Sequence, residues 1–126
     1  MPEALVTVGM SGSRDFGPGD AWKIWQILAA IENETLGPFL LLNGECPYGG
    51  ADLIVSSWAA GAGWEVEGFP SEADAGWAYA KRNQAMVDRK PDLFLFFFKK
   101  GAGNRGTKMT RDMAKKAGLN VREYEI

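Results

Sequence analysis

The chain has 126 residues, 46% apolar and 24% charged. That is the size and make-up of one globular domain over residues 1–126, and it excludes a disordered chain, a disulfide scaffold and a collagen-like fibre. The net charge of −2 is spread unevenly: residues 1–80 carry two basic and eleven acidic side chains, residues 81–126 twelve and five.

Taken in chain order, Leu5–Val8 is a short β-prone run that meets Gly9-Met10-Ser11-Gly12-Ser13-Arg14. Gly17-Pro18-Gly19-Asp20 reads as a turn ending in an N-cap aspartate. From Ala21 to about Glu34 the apolar residues 21, 24, 25, 28 and 31 make a helical stripe, broken by Gly37-Pro38. Phe39–Leu42 is an apolar strand ending at Asn43-Gly44, and the loop Glu45–Gly50 leads into a helix over Ala51–Ala62. Trp64–Phe69 alternates as a strand near a sheet edge, and Pro70–Gly76 is a loop. Trp77–Arg89 is helical and stops at Lys90-Pro91. Leu93–Phe98 is continuously apolar, as a strand buried on both faces should be. A glycine-rich basic loop, Lys99–Gly106, precedes a helix over Thr107–Ala117 and a last strand, Val121–Tyr124. Strict alternation of strand and helix predicts an α/β fold: a Rossmann-like doubly wound domain, with a mostly parallel five-stranded sheet covered by helices on both faces. Trp22, Trp25 and Trp58 are read as core.

Ligands of such sheets bind beyond the C-terminal strand ends. Three glycine-rich loops should gather there: Gly9–Asp15, Gly44–Asp52 and Lys99–Thr107. In the first, Ser11, Ser13 and the loop amides could hold a phosphate, with Arg14 pairing it bidentately; the plain reading is a tight turn with a surface arginine. In the second, Gly49 and Gly50 allow close backbone approach. Asp52 there either compensates the helix dipole or accepts ribose hydroxyls or a base edge. Cys46 reads as a small filler, since the chain holds no histidine to activate it. The third loop lacks the Gly-Lys-Ser/Thr ending of a P-loop, yet a basic glycine loop opening a helix favours phosphate. On the helix over Trp77–Arg89, Tyr79, Asn83 and Met86 share one face, and Trp77 stands where an indole could stack on a base.

The absence of histidine excludes histidine triads, histidine general bases and histidine metal ligands, and the acidic residues do not cluster at ligand spacing, so no metal is expected. Leu93–Phe98, the longest apolar run, is far short of the roughly 20 residues that span a bilayer. With no signal-peptide pattern and one cysteine, the expected compartment is the cytoplasm, with no membrane partner.

Four pieces together resemble the YspA, cpYpsA-related SLOG family of the SMF/DprA–LOG superfamily. They are Gly12-Ser13-Arg14-Asp15, Gly44-x-Cys46-Pro47-x-Gly49-Gly50-Ala51-Asp52, Arg82-Asn83-Gln84-x-Met86 and Arg105-Gly106-Thr107. The resemblance runs from about Leu5 to Val121. It implies a Rossmann-like sheet that binds a nucleotide or nucleotide-derived small molecule, without a separate cofactor, in a bacterial or phage protein that can form a homo-oligomer. It assigns Gly12, Ser13, Arg14, Gly50, Asp52, Arg82, Asn83, Gly103, Arg105, Gly106 and Thr107 to the ligand pocket. Three departures stand out: the second loop has one glycine more than the family's Gly-x-Cys-Pro-x-Gly-Ala-Asp, Ala78-Tyr79-Ala80 replaces the family's Ala-Gly-Pro, and Thr110 stands where related LOG enzymes carry the glutamate of Gly-Gly-x-Gly-Thr-x-x-Glu. Cleavage of a nucleoside monophosphate at its glycosidic bond would then need Asp52 or Glu45 as its carboxylate. The basic second half supports a further alternative, single-stranded nucleic-acid binding as in the DprA branch.

Overall fold

The computed structural model describes residues 5–44 and 49–126. Within them lie five strands: β1 (Val6–Gly12), β2 (Phe39–Asn43), β3 (Glu65–Gly68), β4 (Leu93–Phe98) and β5 (Val121–Glu125). Helices α1 (Ala21–Glu34), α2 (Ala51–Gly61), α3 (Gly76–Asp88) and α4 (Arg105–Lys116) connect them, and a 3-10 turn, Pro18–Asp20, precedes α1. The strands form one sheet in the order β3-β2-β1-β4-β5, and every neighbouring pair is parallel. This is the predicted Rossmann-like, doubly wound α/β fold, with β3 at an edge as its half-polar alternation required.

The sheet has a core on each face. β4 is buried at every residue and divides its side chains by parity. Leu93, Leu95 and Phe97 face Ile24, Leu28 and Ile31 of α1 and Val55 and Ala59 of α2. Phe94, Phe96 and Phe98 face Met86 and Val87 of α3 and Ala114 of α4. The strand order reverses its direction across the sheet between β1 and β4, so the switch point lies at their C-terminal ends.

Several expectations are corrected. β1 runs on through Gly12, where a loop was expected from Gly9, because Gly9 to Gly12 pair with Phe94 to Phe97 in register. Glycine suits this stretch: a Cβ at Gly9 would come within 3.0 Å of the Phe94 ring. α4 starts at Arg105 rather than Thr107. Asn104 occupies the left-handed region at φ 53 and closes the preceding loop with its side chain, so the helix can begin directly after it. Asp20 stands at the N-cap position of α1, but its side chain makes no capping bond to that helix; its carboxylate accepts the Gly17 N–H at 2.9 Å and the Lys99 ammonium at 2.9 Å. Trp22 and Trp25 are exposed rather than core, because the buried stripe of α1 is Ala21, Ile24, Leu28 and Ile31. Trp58 packs against the core edge-on to Trp64, with ring centroids 5.3 Å apart.

Candidate functional site

A cavity of about 410 Å³ opens at the switch point. Four stretches far apart in the chain line it: Met10–Asp15 from the end of β1, Gly44 with Asp52 around the start of α2, Tyr79, Arg82, Asn83 and Met86 from α3, and Gly103–Thr107 entering α4. Among the residues singled out in the sequence, Gly12, Ser13, Arg14, Asp52, Arg82, Asn83, Gly103, Arg105, Gly106 and Thr107 all stand in its wall.

Gly50 does not line the cavity; it stands behind it. Its φ is +72, and a Cβ there would fall inside contact distance of the Arg14 backbone. The close approach that this glycine permits is therefore between two protein backbones, and it seats the turn carrying Arg14. The same seat is bonded on both sides, since the Ala51 N–H donates to the Ser13 carbonyl at 3.0 Å and the Ser13 N–H donates to the Phe97 carbonyl at 3.1 Å. The Asp15 N–H donates to Ser13 Oγ at 3.1 Å. The amides of Ser13 and Asp15 are thus spent on protein acceptors. The Arg14 side chain, exposed at the rim, is the loop's cationic group.

Backbone donors come instead from α4. The first-turn N–H groups of a helix have no intrahelical acceptor, and here no side chain caps them, because Asn104 turns back to Lys99 and Ala102. That N-terminus borders the cavity with Gly103, Gly106 and buried Thr107, and carries the partial positive charge that favours anions. The Arg105 guanidinium stands exposed beside it. Thr110 is fully buried and its hydroxyl donates to the Gly106 carbonyl at 3.0 Å, so it turns into its own helix and does no work in the cavity.

Arg82 is held more firmly than an exposed helix arginine. Its Nε donates to Asn83 Oδ1 at 2.7 Å, its Nη1 donates to the Gly44 carbonyl, and its Cζ lies 5.5 Å from the centre of the Tyr79 ring. A Cβ at Gly44 would come within 2.7 Å of that Nη1, so glycine makes room for the guanidinium. Arg14 also lies over the Tyr79 ring, at 5.8 Å, and the tyrosine hydroxyl donates to Asp74. Tyr79 therefore spaces two guanidinium groups in one wall. Sequence reasoning placed Tyr79 on the face of Asn83 and Met86 without assigning it to the site; the i, i+4 spacing to Asn83 was the available signal. Trp77, by contrast, is 61% exposed and does not line the cavity. Asp52 is buried in the first turn of α2, and its carbonyl accepts the amide of buried Asn43 at 2.9 Å, which ties α2 to the end of β2. Glu45 and Cys46 lie outside the described residues.

Folding brings part of the basic second half against the acidic first, through the pairs Lys81–Glu72, Arg89–Glu67, Lys99–Asp20 and Arg122–Glu34. Among the described residues no group of three acidic or thiol side chains could hold a metal, and no helix is long and apolar enough to cross a membrane.

Fold and cavity together define a Rossmann-like, doubly wound α/β protein with an arginine-lined cavity at its switch point. Compared with family models, curated proteins and solved structures, the chain finds no match in any of the three.

Proposed function

We propose that this chain binds or senses a nucleotide or nucleotide-derived small molecule, as a SLOG-like domain in the cytoplasm of a bacterium or of a phage-infected cell. The observation that carries the reading is the convergence of four separate segments on one cavity of about 410 Å³ that holds Arg14, Arg82 and Arg105 together with an uncapped helix start. The α4 amides and Arg105 would receive a phosphate, and Arg14 would close on it from the opposite loop. Asp52 and Asn83, buried polar residues of the cavity wall, would face ribose hydroxyls or a base edge.

The test is a thermal-shift screen with nucleoside mono-, di- and triphosphates, ADP-ribose, NAD and cyclic nucleotides. A ligand at about 100 times its dissociation constant adds roughly 2.7 kcal/mol, several degrees for a domain of this size. The shift should disappear in Arg14→Ala and Arg105→Ala. No shift from any member of the panel would reject the reading.

One observation favours a second reading, an N-glycoside hydrolase or transferase acting on a nucleoside monophosphate. Asp52 places a buried carboxylate in the cavity wall, where it could stabilise an oxocarbenium-like sugar. The glycosidic C–N bond would break with its electron pair leaving on the base, which takes up a proton, while water supplies hydroxide to the sugar. Release of free base, abolished by Asp52→Asn, would establish it; tight binding without release leaves sensing. Single-stranded nucleic-acid binding has less support, since Lys81, Arg89, Lys99 and Arg122 of the basic half pair with acidic groups of the first, and it would show as oligonucleotide binding that weakens steeply with salt.

A further inference from the structure

Two of the cavity's arginines come from segments remote in the chain: Arg14 from the turn after β1 and Arg105 from the first turn of α4. A guanidinium and a helix start can share one anion only at a spacing that matches it, so the gap between these two walls matters. On the near side the Arg14 turn is seated through Ser13, whose N–H donates to the Phe97 carbonyl at 3.1 Å.

On the far side the gap is bridged by one residue, Lys99. Its ammonium reaches Asp20 at 2.9 Å and lies 5.7 Å from the centre of the ring of buried Phe16. The same carboxylate oxygen, Asp20 Oδ2, accepts the Gly17 N–H at 2.9 Å. Phe16, Gly17 and Asp20, which follow Arg14 in the chain, are thus gathered at one cation. The backbone of Lys99 holds the opposite wall. Its N–H donates to Asn104 Oδ1 at 3.2 Å, and its carbonyl accepts Asn104 Nδ2 at 2.9 Å. Asn104 is the residue from which α4 starts. Lys99 therefore grips the Arg14 turn with its side chain and the α4 start with its main chain.

Neither Lys99 nor Asp20 stands in the cavity wall, so neither would touch a ligand there. The pair is the least exposed of the four that join the two halves of the chain, with side chains at 32% and 25%. A partly buried pair is screened less than a fully solvated one and holds its geometry better.

We propose that the Lys99–Asp20 pair is a positioning clamp. It sets the turn carrying Arg14 at a fixed distance from the start of α4, so that Arg14, Arg105 and the helix amides meet one phosphoryl group together. This role rests on the nucleotide reading of the cavity. Without the pair, the turn stays seated at Ser13 but is loosened beyond it, and the ordering of Arg14 then falls on the binding step.

Titration calorimetry of the full chain tests this. The probe is whichever nucleoside mono-, di- or triphosphate, ADP-ribose, NAD or cyclic nucleotide raises the wild-type Tm most. Lys99→Met keeps the aliphatic stem and removes the ammonium; Asp20→Asn keeps an acceptor for the Gly17 N–H and removes the charge. Each should weaken binding about five- to tenfold. The double variant should be no weaker than either single one, because both remove the same link. Lys99→Arg keeps a cation for Asp20 and should bind within about twofold of the wild type. Arg122→Met breaks an ion pair of the same kind, with Glu34, away from the cavity, and should leave the affinity unchanged. Wild-type affinity in both single variants, additive losses in the double variant, no recovery in Lys99→Arg, or an equal loss in Arg122→Met would overturn the clamp and leave the nucleotide site standing. A wild-type chain that binds no member of the panel rejects the nucleotide reading itself, and the clamp with it.

Discussion

A methyl group added at Gly12 would meet the Ala51 Cβ, and one at Gly50 would meet the Arg14 backbone, whereas one at Gly44 would meet only the far end of Arg82. Backbone and packed core cannot give way, but a guanidinium can swing. Gly12→Ala should therefore cost about 2 kcal/mol or more in overpacking. Gly50→Ala should cost at least as much, with the added strain of its positive φ. Gly44→Ala should cost less than about 1 kcal/mol in urea unfolding, yet displace Arg82 and weaken the proposed nucleotide binding about tenfold, as loss of one charge-assisted hydrogen bond does. Tyr79 offers a second comparison. Tyr79→Phe keeps the ring beneath both guanidinium groups and should bind like the wild type, while Tyr79→Leu should lose roughly 0.5–1 kcal/mol of cation–π attraction and bind several-fold less tightly by titration calorimetry. Asp20 gives a pH dependence. The hydrogen bond from Lys99, and then that from the Gly17 N–H, hold its carboxyl below the usual aspartate value. A depressed folded-state pKa contributes stability that is complete above the unfolded value, near 3.9, and lost as pH falls through the lower folded one. The Tm gap between wild type and Asp20→Asn should be widest at pH 6 and close towards pH 2.

At the scale of elements, the start of α4 decides what the third loop can do. Its first turn is free to face an anion because Asn104 turns its side chain away, donating to the Lys99 carbonyl at 2.9 Å and the Ala102 carbonyl at 3.0 Å and accepting the Lys99 N–H at 3.2 Å. Asn104→Gly loses these bonds but keeps the left-handed backbone; Asn104→Ala loses both. Chemical denaturation should find both destabilised, with the glycine variant recovering about 1 kcal/mol relative to alanine. The elements themselves were largely legible in the sequence. α1 is bounded as its apolar spacing indicates, and β4 is the doubly buried strand its six apolar residues describe. The misread boundaries fell on glycine. Gly9 and Gly12 look like a loop in one dimension, but they are strand residues whose missing side chains admit Phe94, Phe97 and Ala51. Trp25 was misassigned because the helical period places it at the margin of the buried stripe, where only the neighbouring helix decides its exposure.

Across the whole molecule, the ion pairs that join the two halves of the chain are surface pairs, with side chains a quarter or more exposed. Such pairs contribute between zero and about 1 kcal/mol each and are screened by salt. Raising the salt from about 0.05 to 0.5 M should therefore move Tm by no more than a few degrees, which scanning calorimetry can check. The alternation of strands and helices, the parallel sheet and ten of the seventeen residues in the cavity wall were legible in the sequence itself. Hydrophobic period and chain order are local properties, and a parallel sheet with short crossovers must bring its strand-to-helix loops to one edge. Three things were decided only by tertiary structure. The amides of Ser13 and Asp15 were taken up by Phe97 and by Ser13 Oγ, Gly50 was set against the Arg14 backbone, and Tyr79 came to lie beneath two arginines. Each depends on distances between segments that are remote in the chain, and no periodicity or spacing along one segment encodes them.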